Sequence, residues 1–204
     1  RLREDKLIIA FVAEFSRGKS ELINAIFFGD YGNRILPSTA GRTTMCPTEL
    51  LFEAGKPPAI ELLPIETRST NASVAEFKRF PEEWRVVELD TASAEAMHAA
   101  LSRVGEQKLV SQELAAKLGF AIDAEGKAGL KPDAGGLVEI PCWRHAVINF
   151  PHPLLEQGLV ILDTPGLNAI GAEPELTLSQ LPNAHAILFI LAADTGVTQS
   201  DLAV

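Results

Sequence analysis

Cysteine, positive charge and long apolar runs are all scarce in this chain, and each shortage narrows what it can be. The two cysteines, Cys46 and Cys142, lie far apart and have no Cys or His companion at metal-ligand spacing. They read as structural thiols in a reducing compartment, not as a disulfide framework. Lys and Arg total 18 against 27 Asp and Glu, a net charge of −9, which leaves no basic footprint for nucleic acid or anionic lipid. No nucleic-acid partner is expected, and any membrane contact must come from segments outside these residues. The longest apolar run, residues 184–193 interrupted by His185, is too short to span a bilayer and suits a buried strand. No stretch reads as a signal peptide or a lipidation motif. His98, His145, His152 and His185 share no spacing that suggests a metal or a general base, with His98 expected on a solvated helix face and His185 capping a strand. Trp84 and Trp143 are expected to pack. The remainder, 204 residues at 47% hydrophobic and 22% charged, is the composition of a globular protein of one or two domains.

What is present in strength is the stretch 7–28, LIIAFVAEFSRGKSELINAIFF. Residues 7–12 are an apolar run of strand length, 13–20 (AEFSRGKS) a tight loop, and Leu22, Ile23 and Ile26 recur at helical spacing. Strand, loop and helix in that order predict a phosphate-binding loop, in which backbone N–H groups and the helix dipole hold an anion. Glu14, Phe15, Ser16, Arg17, Gly18, Lys19, Ser20 and Glu21 are the expected nucleotide-contacting residues. Lys19 would reach the β- and γ-phosphates and the Ser20 hydroxyl would ligate Mg²⁺. The GxxxxGK[ST] pattern has one departure, Ala13 in place of its first glycine, which is harmless at negative φ and strained at positive φ.

Residues 30–47 (DYGNRILPSTAGRTTMCP) hold no sustained period and read as a long loop; Thr39, Thr43, Thr44 and Thr48 are candidates for a threonine that closes over γ-phosphate and Mg²⁺. Residues 48–53 and 59–63 read as two strands around a turn at 55–58, forming an antiparallel edge. Residues 66–136 are expected to be an insertion without enough large apolar residues for a core of its own. Within it, helices are predicted over 93–104 and 111–118, capped by Ser93 and Ser111 and stopped at Gly105 and Gly119, with a short strand near 84–89 and irregular chain over 123–136. Strands are predicted again at 145–150, at 159–163 and, buried and parallel, at 186–192; a short helix is predicted at 173–181, and a last helix from Ser200. The strand 159–163 ends in Asp163-Thr164-Pro165-Gly166, which places Asp163 to hold Mg²⁺ through water and the Gly166 N–H near a γ-phosphate. Arg1 at the start and a helix beginning at the Val204 end predict a single domain over 1–204 cut at both ends from something larger.

Taken together, EFSRGKSELINAI, LPSTAGRTTMCPTEL, LVILDTPGLN and AILFILAADTGVTQSDLAV resemble a bacterial member of the dynamin-like GTPases. The resemblance covers the chain apart from the insertion. It implies a Ras-like P-loop NTPase core, an α/β three-layer sandwich with a mostly parallel sheet, an antiparallel edge and a helical insertion. It also implies GTP as substrate, Mg²⁺ as cofactor, dimerisation through the GTPase domain that stimulates hydrolysis, and a cytoplasmic protein peripheral at the inner face of the cell membrane, which it remodels. By the same resemblance Lys19, Ser20, Asp163 and Gly166 serve phosphate and Mg²⁺. RTTMC resembles the mitofusin form of the first switch, which favours Thr44 over Thr43 as the residue on Mg²⁺ and the attacking water. Ser16 stands where dynamins keep a serine near a charge-compensating monovalent cation, and Phe15 where dynamin has a catalytic glutamine. Arg17 reads either as an arginine finger in cis or, more plainly, as an exposed loop arginine. A guanine-reading Asn/Thr-Lys-x-Asp motif is not found before Val204, so GTP rests on the resemblance. Ala13 and Phe15 motivate an alternative, a nucleotide-gated binding scaffold with little hydrolysis; a P-loop ATPase is a further one.

Overall fold

The architecture comes from a computed structural model, which describes residues 6–13, 18–32, 35–36, 46–123, 129–163 and 184–190. In chain order the elements are β1 (Leu7–Ala13), α1 (Lys19–Phe27), β2 (Thr48–Leu51), β3 (Ala59–Pro64), α2 (Val74–Phe77), β4 (Arg85–Glu88), α3 (Ala94–Ser102), β5 (Gln107–Ser111), α4 (Gln112–Lys117), β6 (Leu137–Pro141), β7 (Trp143–Asn149), α5 (Pro153–Glu156), β8 (Leu159–Asp163) and β9 (Ala186–Ile190). Seven strands form one mixed sheet in the order β4-β3-β7-β2-β8-β1-β9, and β5 with β6 forms a separate two-stranded ribbon. β1 runs parallel to both β8 and β9, and β2 parallel to β7; the β2–β8, β3–β7 and β3–β4 pairs are antiparallel.

The two faces of this sheet carry different cores because successive strand residues point to opposite sides. On one face Phe11, Leu50, Ile148 and Ile161 meet Ile23 and Phe27 of α1, Met97 and Leu101 of α3 and Leu155 of α5. On the other, Val12, Leu51, Val147 and Leu162 meet Val74 and Phe77 of α2 and Trp84. Burying one Leu, Ile or Phe side chain stabilises by about 1.5–3 kcal/mol, so the first face, with three helices on it, fixes α1 firmly over β1.

Two expectations need correction. β2 and β3 do not pair with each other: β7 lies between them, parallel to β2 and antiparallel to β3. The reason is the connection, which is too long for a tight hairpin and arches over the end of β7. There the Asn149 side chain accepts from the Glu53 N–H at 2.8 Å and donates to the Lys56 and Pro57 carbonyls at 3.2 and 3.0 Å. The antiparallel edge is instead β3 with β4. Secondly, β9 is parallel as expected but is the outermost described strand, with Ile187 and Leu188 about two-fifths exposed. The 66–136 stretch shares a small third cluster with its flanks: Ala115, Leu118 and Phe120 join Ile65, Val138 and Ile140, closed by the Arg68 guanidinium over the Phe120 ring. The Ser93 and Ser111 caps form as predicted, each hydroxyl accepting from the N–H three residues on. The helices predicted at 173–181 and from Ser200 lie outside the described residues.

Candidate functional site

α1 begins at the carboxyl end of β1, and its geometry there depends on one glycine. Gly18 sits at the N-cap with φ 80°, in the left-handed region, where a β-carbon is strained. Its carbonyl accepts from the Leu22 N–H at 3.0 Å and opens the helix. The first turn therefore aims its N–H groups and positive dipole end at the space beyond β1, the ordinary setting for an anion. Ala13 closes β1 as an extended residue, so the departure from glycine there carries no strain.

Lys19 is the first residue of α1 and is 7% exposed. Its Nζ lies 2.8 Å from Oδ1 of Asp163, the last residue of β8, itself 8% exposed. The parallel register that pairs Phe11 with Asp163 brings the two together, since β1 and β8 end side by side. Ligands gather at such strand ends in α/β sheets. Asp163 Oδ1 is buried and among the described residues has no aligned hydrogen-bond donor, so its contact with Lys19 is Coulombic. β2 completes the floor: Thr48 lies opposite Asp163 in the antiparallel register, and its hydroxyl donates to the Cys46 carbonyl at 3.2 Å. Burial first, and then the charge of Asp163, push the Cys46 thiol far up, so it stays a neutral packing group.

Of the residues expected at the site, Gly18, Lys19, Ser20, Glu21 and Asp163 are described, and the sheet gathers them at one end. Glu14, Phe15, Ser16, Arg17, Thr39, Thr43, Thr44 and Gly166 lie outside the described residues. A carboxylate and a hydroxyl are the hard oxygen donors that Mg²⁺ takes, and Asp163 and Ser20 offer one of each. Among the described residues no group of three or more His, Cys, Asp or Glu can hold a metal by itself. An ion here would need phosphate and water oxygens as well, which is how Mg²⁺ is usually bound.

Sequence reasoning missed a second buried charged group, on the opposite face of the sheet. Glu49, 6% exposed, receives Lys78 Nζ at 2.6 and 2.8 Å on its two oxygens and pairs with His145 Nε2 at 2.9 Å. Burial raises the Glu49 carboxyl, but the His145 hydrogen bond and charge together with Lys78 outweigh it and hold the carboxyl down at about 2. An acid inside the otherwise apolar strand TELL was the available signal.

Comparison with known proteins fits this frame. The sequence profile described as "Dynamin family" matches residues 9–203, which takes in both strand ends and α1. The chain belongs to the dynamin family. Members of that family are GTPases. A curated relative, the "Bacterial dynamin-like protein" of Nostoc punctiforme, is 44% identical to the dynamin-family chain over 54 residues, or 26% of this chain and 8% of that protein. Two solved chains from work on an oligomerised bacterial dynamin pair, described there as a mechanism for long-range sensing and tethering of membranes, share its fold. Each superposes with a TM-score of 0.51 at 17% identity. They match 97% and 100% of this chain, which spans 29% and 25% of theirs.

Proposed function

We propose that this chain is the nucleotide-binding part of a dynamin-like GTPase that binds GTP and hydrolyses it to GDP and phosphate, coupled to self-assembly and membrane remodelling. The observation that carries the reading is the meeting of Lys19 and Asp163 at the ends of β1 and β8, beneath the N-terminus of α1. A buried lysine at a helix N-terminus suits a polyphosphate chain. A carboxylate a salt-bridge distance away suits the cation that accompanies one.

In this reading the first turn of α1 holds the β-phosphate and Lys19 leaves Asp163 to neutralise charge on the β- and γ-phosphoryl oxygens. Water attacks the γ-phosphorus, the bond to the β–γ bridging oxygen breaks, GDP leaves and the water's proton ends on phosphate. Mg²⁺ would supply positive charge that offsets the charge on the phosphate oxygens. Ser20 and Asp163 would hold it, with Thr44 supplying a further hydroxyl and orienting the water. Ser16 would sit near the leaving group, Gly166 would offer its N–H to the γ-phosphate, and Thr43, Arg17, Phe15, Glu14 and Glu21 would line the nucleotide. Two such domains pairing across their nucleotides, and lipid contacts made by segments outside this chain, would couple hydrolysis to assembly at the cytoplasmic face of a membrane.

The deciding experiment is GTP hydrolysis by the full-length protein as a function of its own concentration, with Lys19→Ala as control. Specific activity is expected to rise with concentration and vanish in the control. Tight nucleotide binding with no turnover at any concentration would replace this reading with a nucleotide-gated scaffold, and equal competition by ATP would remove guanine selectivity.

A further inference from the structure

A buried amide on α1 grips the chain just where it enters the threonine-rich loop. Asn24 lies one turn beyond Ser20 on the same side of α1 and is 6% exposed. Its Oδ1 accepts from the Ile35 N–H at 3.1 Å and the Leu36 N–H at 2.7 Å, and its Nδ2 donates to the Leu36 carbonyl at 2.9 Å. The side chain thus gives residues 35–36 both the acceptor and the donor that a neighbouring strand would give. The far end of the same loop is also held: Thr48 of β2 lies opposite Asp163, and Cys46 is buried beneath it. The described residues on either side of the threonines are therefore both held: 35–36 to the helix that carries Lys19 and Ser20, and Thr48 to the strand that carries Asp163.

We propose that Asn24 is a positioning residue for the reaction. It fixes the point from which the threonine-rich segment leaves α1, and so the distance from which its threonines reach a γ-phosphate. It touches no substrate itself. The geometry is selective. Alanine removes all three hydrogen bonds and leaves backbone groups of Ile35 and Leu36 to find other partners. Aspartate keeps the two acceptor contacts and loses the donor. Ile35 is fully buried in the core around α1, so this stretch has an anchor that does not depend on Asn24 and the variants are expected to fold.

The consequence for hydrolysis rests on the GTPase reading above, and the test separates the two. In the full-length protein, Asn24→Ala and Asn24→Asp are compared with the parent for Kd of fluorescent GDP, Kd of a non-hydrolysable GTP analogue, kcat and KM. Amide exchange at residues 35–36 is followed alongside. The segment serves the γ-phosphate, which GDP lacks. Asn24→Ala is therefore expected to leave GDP affinity within about threefold while weakening the analogue and lowering kcat/KM by about tenfold, with faster exchange at 35–36. Asn24→Asp is expected to fall between. Equal weakening of GDP and analogue, no change in either, or failure of both variants to fold would assign Asn24 to stability and overturn the positioning role. A parent that binds and turns over GTP with those results leaves the GTPase reading standing. A parent that binds neither nucleotide removes that reading and this one with it.

Discussion

Two buried carboxylates lie on opposite faces of one sheet, each with a cationic partner, and adjacent residues of β2 serve them: Thr48 lies opposite Asp163, while Glu49 faces the other way toward His145 and Lys78. They are built to different ends. Glu49 has three contacts on its two oxygens, from Lys78 and His145, so its desolvation is offset in place. Among the described residues Asp163 meets Lys19 alone, with no donor aligned on its Oδ1. A saturated pair resists separation, whereas an undersupplied one is poised to exchange its partner for a cation and release its lysine to an anion. The first kind holds a fold; the second suits a site.

Breaking Glu49 should give the largest effect. Glu49→Ala takes the partner from the buried His145, while Lys78, with its side chain 43% exposed, turns to water; the substitution is expected to cost about 2–3 kcal/mol in urea unfolding. Acid should reach the same pair. The folded carboxyl sits at about 2 against an ordinary 4.5, so its contribution is complete above pH 4.5 and is lost as pH falls toward 2. About 3 kcal/mol should disappear across that window, read as a falling urea midpoint that Glu49→Ala does not share. Asp163→Asn should do least to stability, about 1 kcal/mol, because it keeps the shape of the side chain and removes the cost of one desolvated charge along with the attraction to Lys19. If calorimetry found Asp163→Asn as costly as Glu49→Ala, the contrast between the two faces would fail.

The same contrast explains what the residues disclosed in advance. The end of β1, Gly18 and Lys19 were legible because strand, loop and helix follow one another within a few residues, and Asp163 because it closes an apolar strand. The placing of β7 between β2 and β3 was not: two strands separated by a short turn look like a hairpin, and nothing local says that a third will enter between them. Glu49 and His145 stand 96 positions apart, beyond any spacing rule, and an acid read by itself defaults to the surface. The third core was missed because its members come from both sides of the ribbon, from Ile65 to Ile140, and no single segment is rich enough to announce it. Asn24 gave no signal because an amide in a helix has no characteristic pattern; its meaning lies in the backbone of Ile35 and Leu36.

The position of β7 also sets a timetable. As the chain emerges from the ribosome, β2 and β3 are complete before residues 65–142 have been made, and β7 follows on the order of ten seconds later at ordinary elongation rates. Until then the two earlier strands have a gap between them where their central partner belongs, each with an open edge. The β3–β7 and β7–β2 seams thus close only after the β3–β4 edge can form, and β8 and β9 complete the sheet later still. The nascent protein must keep that slot clear of other extended chains, a task for which the Asn149 clasp arrives together with the strand it locks.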